Sequence, residues 1–306
     1  VITSGAGTTA WTATNGDTTF DAVVSPVVSG SVADKAQTAV VTDLNADSAD
    51  VNETVTYTKV GSLVPSSSDG NFPRVPRVVY PNDPRDATKV TPAGVPTVPG
   101  YTAHDPEGHV LTPGSRYQPS DPTKDTTITY TADQQKGSVS YVDDTTGKTL
   151  KTDSISGTTG SKSSYSTSGS IADYKKHGYE LVTDGYPADL TFDNDDKTAQ
   201  NFTVHLKHQL TPVNPTDPQT PGAPIHPDEP DGPKWPTRTN YDKTVHETVS
   251  YVDQTGHVVA KPHTDSVNFT RTVVVDNVTG EVITSGAGTT AWTATNGDTT
   301  FDAVVS

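Results

Sequence analysis

The stretch VITSGAGTTAWTATNGDTTFDAVVS occurs twice in this chain of 306 residues, letter for letter, at 1–25 and at 282–306. No other feature constrains the fold as much, because one sequence must serve one local structure at two places. The offset is too long for a solenoid, whose units run about 20–50 residues. The repeating unit must therefore contain several domains, and the chain reads as one period of a longer array plus the repeated stretch, with about two to four small domains. On this reading both ends lie inside a module. Residues 1–60 lack a hairpin that 241–281 supply, and 241–306 lack the strands around Val51–Tyr57. Neither half is expected to be well folded alone, since unpaired strand edges and half a core are unstable. The halves could complete one another head to tail between molecules, or in cis if the linker folds back.

A second regularity lies at 212–236, PVNPTDPQTPGAPIHPDEPDGPKWP, where every third residue is Pro. Polyproline II has three residues per turn and rises about 3.1 Å per residue, so this stretch predicts a stiff spacer of roughly 75 Å. Residues 65–99 are also Pro-rich but irregular, and carry Phe72, Val78, Val79 and Tyr80, enough to pack in part.

Between these landmarks the period is two. Val55 and Tyr57, Ile128 and Tyr130, and Phe202, Val204 and Leu206 alternate with polar residues, as half-buried strands require. Phe269, Arg271, Val273 and Val275 lead to DNVTG (276–280) and back through EVITS, a hairpin by its turn chemistry. GSVSYVDDTTGKTL (137–150) and ETVSYVDQTGHVVA (247–260) each read as strand, Asp-containing turn with Gly147 or Gly256 left-handed, and strand. One segment is helical: Ser170 caps IADYKKHG and Gly178 ends it.

Composition excludes several functions. There is no Cys and no Met, so Cys-based zinc sites, disulfides and Cys nucleophiles are ruled out. A net charge of −16 argues against nucleic acid or an anionic membrane as partner. No stretch reaches 18 apolar residues, so membrane insertion is not expected, and any secretion signal or anchor is expected outside these residues.

The ordered string GSVSYVDDTTGKTL, the helix, GYELVTDGYPADLTFDNDD (178–196) and QNFTVHLKH (200–208) resembles the mucin-binding (MucBP-type) module of lactobacillus mucus-binding proteins. HETVSYVDQTGHVVAKPHTDSVNFTRTVVVDNVTGEVI, with AWTATNGDTTFDAVVSP as at 10–26, resembles the B2-type module of the same Mub repeats. The resemblance implies a β-rich α+β chain of tandem β-grasp (ubiquitin-like) modules in an elongated, multi-domain rod with Pro-rich linkers. Its parts are 1–60, the C-terminal part of a B2-like module; 61–97, a Pro-rich connector; and 98–134, strand-rich like the end of a Mub module. They continue as 135–209, a MucBP-like module; 210–240, a polyproline II linker; and 241–306, the N-terminal part of the next B2-like module. It further implies a non-enzymatic, cell-wall-attached extracellular adhesin. The implied partners are mucin glycoproteins and glycans, for some members immunoglobulins, and neighbouring repeats. A structural stalk displaying a distal domain is the rival reading.

Candidate site residues are few. Tyr174, Tyr179 and Tyr186 near the helix could offer aromatic faces to sugars, or serve the core instead. Asp43, Asn45 and Asp47 match the first ligand positions of an EF-hand loop, but Ser48 and Thr54 stand where its Gly and Glu belong. That leaves a looser Ca²⁺ site of Asp43, Asn45, Asp47 and Asp50, or a plain Asx-turn loop; FDNDDK (192–197) is a weaker case, and no other cofactor is indicated. His205 and His208 fall on opposite strand faces and cannot share a metal. His104 and His109 neighbour Asp105 and Glu107 in a loop that could hold zinc. No hydrolase elbow, H-E-x-x-H or phosphate-binding Gly loop occurs.

Overall fold

Alternating valine, threonine and tyrosine give this chain its strands, and those of the cores bury one face against whatever the sequence brings opposite it. The computed structural model describes residues 1–305; Ser306, the last residue of the second copy of the duplicated stretch, lies outside them. The chain divides into one unit of residues 1–135, 156–162 and 191–198, and another of 136–155, 163–190 and 199–306.

The first unit carries β1 (Ser31–Ala33), β2 (Tyr57–Lys59), β3 (Ser62–Ser66), β4 (Val78–Val79), β5 (Ala93–Gly94), β6 (Tyr101–His104), β7 (Val110–Leu111), β8 (Arg116–Tyr117) and β9 (Thr126–Ala132). Five of these form a sheet in the order β4-β3-β9-β6-β7, with β3 parallel to β9. Ile128 and Tyr130 point inward as their alternation requires, and are buried with Leu63 and Tyr80. The phenols keep partners: Tyr80 donates to Thr126 Oγ1 and Tyr130 to the Pro96 carbonyl, both at 2.6 Å.

Residues 61–97, expected as a connector, are part of this core. Tyr80, Val90, Ala93 and Val95 are buried in it, and Phe72 packs its ring 5.1 Å from those of Tyr101 and Tyr130. Pro65 sits inside β3 because β4 pairs only with Ser62 and Leu63, so its missing N–H faces no neighbour. The expected strand at 53–59 shrinks to β2, and residues 1–30 hold only isolated bridges, Phe20 to Val41 and Val24 to Gln37.

β10 (Gln134–Asp143) leads into the second unit. With β11 (Lys148–Thr158), α1 (Ser168–Lys176), β12 (Tyr179–Asp184) and β13 (Gln200–His208) it forms a sheet ordered β11-β10-β13-β12. β10 and β13 are parallel at its centre, Tyr141 opposite Val204. Gly147 is left-handed at φ +75°, as the turn requires. The helix starts earlier than its expected cap. Ser170 lies within it, its hydroxyl held by Lys151 Nζ at 2.6 Å, and Thr167 takes the capping position.

The chain continues through β14 (Leu210–Val213), β15 (Asp242–Val252), β16 (Val258–Thr270), β17 (Val273–Asp276), β18 (Val282–Ile283) and β19 (Thr293–Ala294). Two three-stranded sheets result, β14-β17-β18 and β15-β16-β19. The DNVTG hairpin forms as expected, Val274 pairing with Ile283 and Gly280 left-handed at φ +77°.

The nine prolines do not form a polyproline II rod. Pro212 lies in edge strand β14 opposite Val274, Gln219 turns left-handed at φ +52°, and the chain doubles back. Trp235 N–H then donates to the Ala223 carbonyl at 2.9 Å and Ile225 N–H to Pro233 at 2.8 Å. Polyproline II has no internal hydrogen bonds to resist this, and a few apolar residues between the prolines have a core to pack on. Ile225 and Trp235 pack on Val213, Tyr241, Val273 and Val275.

Gly178 ends α1 at φ +94°, and a Cβ there would collide with the Asn277 carbonyl oxygen. Gly178→Ala should therefore destabilise the second unit by more than about 1 kcal/mol, read as a fall in the denaturation midpoint, whereas alanine at Gly169, which has open space around it, should leave it unchanged or raised.

Candidate functional site

The helix-bearing sheet of the second unit gathers aromatic rings that are scattered in sequence. Phe202 on β13 meets Tyr186 at 5.5 Å, and Tyr186 meets Tyr165 edge-on at 5.3 Å. The hydroxyls of Tyr165 and Tyr141 lie 2.6 Å apart. Tyr141 packs on Tyr174 at 5.7 Å, Tyr174 on Tyr179 at 5.5 Å, and Tyr179 on the imidazole of His208 at 5.3 Å. All three candidate tyrosines thus belong to one ladder, each half-buried. Burial raises the phenol pKa of Tyr174 and of Tyr179 above the ordinary tyrosine value. Lys151 stands 4.9 Å above the Tyr141 ring and 3.2 Å from Asp153, the carboxylate that accepts the Tyr165 hydroxyl at 2.7 Å.

At the end of the ladder sits His208, weighed in the sequence only as a metal ligand, with two carboxylate partners that the sequence did not reveal. His208 Nδ1 lies 2.6 Å from Asp276 Oδ2, and Nε2 lies 2.7 Å from Asp143 Oδ2. Ionised carboxylates only accept, so both ring nitrogens donate and the imidazole is held as the cation. Its side chain is 4% exposed. Burial pulls the His208 pKa down, but the hydrogen bonds to Asp276 and Asp143 outweigh burial and hold it above the ordinary histidine value. Burial pushes Asp143 up, yet His208, Thr146 and the Thr145 N–H together hold it below the usual carboxylate range.

Two turns of one kind present these carboxylates. DDTTG (143–147) and DNVTG (276–280) each close with the glycine N–H on the leading aspartate's carbonyl, at 2.7 and 2.8 Å. Each aspartate also accepts a backbone N–H two residues on, from Thr145 at 2.9 Å and from Val278 at 2.8 Å. The signal for a buried His208 was its register: Phe202, Val204, Leu206 and His208 share one strand face. His205, on the other face, pairs with Asp144 at 2.8 Å. With both nitrogens engaged, His208 offers no lone pair to a proton donor or a metal.

The remaining candidates stay apart. Around Asp43, Asn45, Asp47 and Asp50 the contacts are those of an Asx loop: the Asp47 N–H donates to Asn45 Oδ1 at 2.9 Å and the Asn45 N–H to Ser48 Oγ at 3.0 Å. Asp195 in FDNDDK likewise gives its N–H to Asp193 Oδ1 at 3.1 Å. Among the described residues, the place where three titratable ligand types gather within 4.8 Å is Asp105, Glu107 and His109. Its geometry is that of a D-x-x-G-H turn, with Asp105 Oδ1 accepting from the N–H groups of Glu107 and His109 at 3.0 and 2.8 Å. The same turn recurs at 253–257, where Asp253 Oδ1 accepts from Thr255 and His257 at 2.8 and 3.0 Å, without a glutamate. No helix among the described residues is long and apolar enough to cross a membrane.

Comparison with known families assigns both modules. The family described as mucin binding domain matches residues 135–208, the ring-bearing sheet, and the Muc B2-like domain family matches 1–61 and 236–306. A solved structure titled "Crystal structure of Mub-RV" is 34% identical, the match covering 53% of this chain and 73% of that one at a TM-score of 0.39. The "Type 2 repeat of the mucus binding protein MUB from Lactobacillus reuteri" is 35% identical over 52% of this chain and 74% of that one, at a TM-score of 0.36. Comparison with the curated proteins gives no match. The two family matches mark a mucus-binding surface-protein repeat, and identity and coverage place the chain in a family. It belongs to the Mub repeats.

The clasp gives a pH dependence of definite sign. A raised histidine pKa stabilises fully below the unfolded value of about 6.5 and loses that contribution as pH rises through the folded value. The depressed Asp143 pKa acts in the opposite sense, its contribution lost as pH falls through that value. Melting of the second unit should fall at alkaline pH, and His208→Ala, leaving two carboxylates unpaired, should cost roughly 3–5 kcal/mol at neutral pH, checked by denaturation followed across pH.

Proposed function

We propose that the chain is a repeat of a cell-wall-attached bacterial adhesin that binds host mucin glycans, non-enzymatically and through weak contacts made strong by repetition. The match of residues 135–208 to the mucin binding domain family carries this reading. Tandem β-grasp modules are the corresponding architecture, and the order β11-β10-β13-β12 with a parallel central pair and one helix supports it.

With a net charge of −16, long-range attraction to sialylated or sulfated chains is absent. Recognition then rests on hydrogen bonds and on the exposed parts of aromatic side chains such as the half-buried Tyr174, Tyr179 and Tyr186. Each contact is weak, and linking modules along a chain raises avidity by about 10²–10⁴-fold without new contacts. Immunoglobulin capture would use the same repeated display.

Surface plasmon resonance on purified mucin tests this. Binding should rise steeply from one repeat to several and fall after glycosidase treatment. Tyr186→Ala should weaken it, while Lys162→Ala, a side chain exposed outside the ladder, should not. Undetectable binding by a multi-repeat chain would favour a structural stalk, and binding to Fab or Fc alone would favour immunoglobulin capture.

A further inference from the structure

The first unit encloses a cavity of about 210 Å³, formed, Asp196 aside, by residues that lie between the two family matches. Val98, Ala103, Leu111 and the rings of Tyr101 and Tyr130 give it a mostly apolar wall. Both phenols are already committed, Tyr101 donating to Asp69 Oδ2 at 2.9 Å and Tyr130 to the Pro96 carbonyl at 2.6 Å.

Into this wall are set two carboxylates, Asp133 and Asp196, within hydrogen-bond reach of each other. Each is fixed from behind. Asp133 Oδ1 accepts the Thr102 hydroxyl, and Asp196 Oδ1 accepts from Gln135 Nε2 at 2.6 Å. Gln135 is 3% exposed and also donates to Thr159 Oγ1 at 3.0 Å. The Asp133 backbone is pinned as well, its N–H on the Gly100 carbonyl at 2.8 Å and its carbonyl under the Thr159 N–H at 3.0 Å. The two acids therefore cannot swing apart without breaking a buried framework.

Like charges held this close repel. Burial pushes the Asp133 carboxyl above the usual carboxylate range and Asp196 adds to the push, while the Thr102 hydroxyl pulls the other way. Among the described residues, the ion pairs made by lysine and arginine go to other carboxylates. The pair is thus a negative centre without a cation, at the edge of an apolar space. Ca²⁺ or Mg²⁺ matches it poorly, because such ions take about six or more oxygen donors and most of this wall is carbon.

We propose that this cavity binds a small primary alkylammonium ion, its NH₃⁺ group between Asp133 and Asp196 and its short alkyl chain along Val98, Ala103 and Leu111. An ammonium brings three donors and no acceptor, so it serves both carboxylates at once. Repulsion between them becomes a pair of charge-assisted hydrogen bonds. The chain covers apolar wall that water wets poorly, and a protein of net charge −16 draws small cations toward its surface. No ring of the tyrosine ladder takes part, so this site and mucin binding stand or fall separately.

Titration of the full chain with n-butylammonium, followed by amide NMR, tests this against 1-butanol as the uncharged counterpart. Butylammonium should shift the Ala103 and Leu111 amides saturably, and 1-butanol at the same concentration should not. Asp196→Asn, at an exposed position, keeps an acceptor for Gln135 and removes the charge. It should weaken binding at least about tenfold while melting stays the same or rises, and Asp133→Asn should weaken binding likewise. No saturable shift, an equal response to 1-butanol, or both asparagine variants binding as tightly as the wild type would each overturn the proposal.

Discussion

The imidazolium of His208 is held between two carboxylates that belong to two modules, Asp143 from the mucin-binding sheet and Asp276 from the Muc B2-like part. Three charges inside a protein are tolerated only when every lone pair and proton has a partner. Here the two D-x-x-T-G turns provide those partners, since backbone N–H groups of Thr145 and Val278 absorb the charge the single imidazolium leaves over. A turn that in isolation only reverses a strand thus also holds a carboxylate in the orientation the histidine needs. The backbone beside it follows the same seam: Gln209 N–H bonds the Gly178 carbonyl at 2.8 Å, and Asn277 N–H bonds the Gln209 carbonyl at 2.9 Å. Strand β14 then continues onto β17, so sheet pairing begins where the charged contact ends.

The folded-back proline stretch is a consequence of that seam. Once Leu210–Val213 is committed to β17, the apolar residues between the prolines lie near an open core, and burying Ile225 and Trp235 outweighs an extended conformation that water alone supports. Its acidic turn serves the same end. Asp228 accepts from His177 Nε2 at 2.8 Å and lies 3.7 Å from Lys176, at the helix C-terminus where the cations are best placed. The regular spacing therefore described a local preference that tertiary contacts overrode.

What could be read in the sequence follows the same division between local and non-local causes. The strands at 126–131 and 201–207, the glycine-bearing turns at 147, 256 and 280, and the end of the helix at Gly178 all have causes within a few residues, and the structure places them as read. The helix start was misplaced because Lys151, a residue from another strand, engages Ser170. Residues 61–97 looked like a connector because their strands are two to five residues long and find partners some 60 positions away, as Leu63 finds Thr126. The site was legible only in part. Tyr174, Tyr179 and Tyr186 are contiguous as rings, but the members that join them, Tyr141 and Tyr165, and the histidine that ends the series come from other strands and loops.

The duplicated stretch isolates this division within one molecule. Turns at Gly5 and Gly286, and at Gly16 and Gly297, agree because their bonds close within three residues. Trp11 and Trp292 disagree because a tryptophan becomes covered only by what another part of a chain brings to it. Identical sequence with unlike burial means that burial is set by what packs on the stretch and not by the stretch itself. In a protein built of modules the boundary of a folded unit is then set by where the partners are, so the hairpin that covers Trp292 belongs to the same structural unit as the segment it covers.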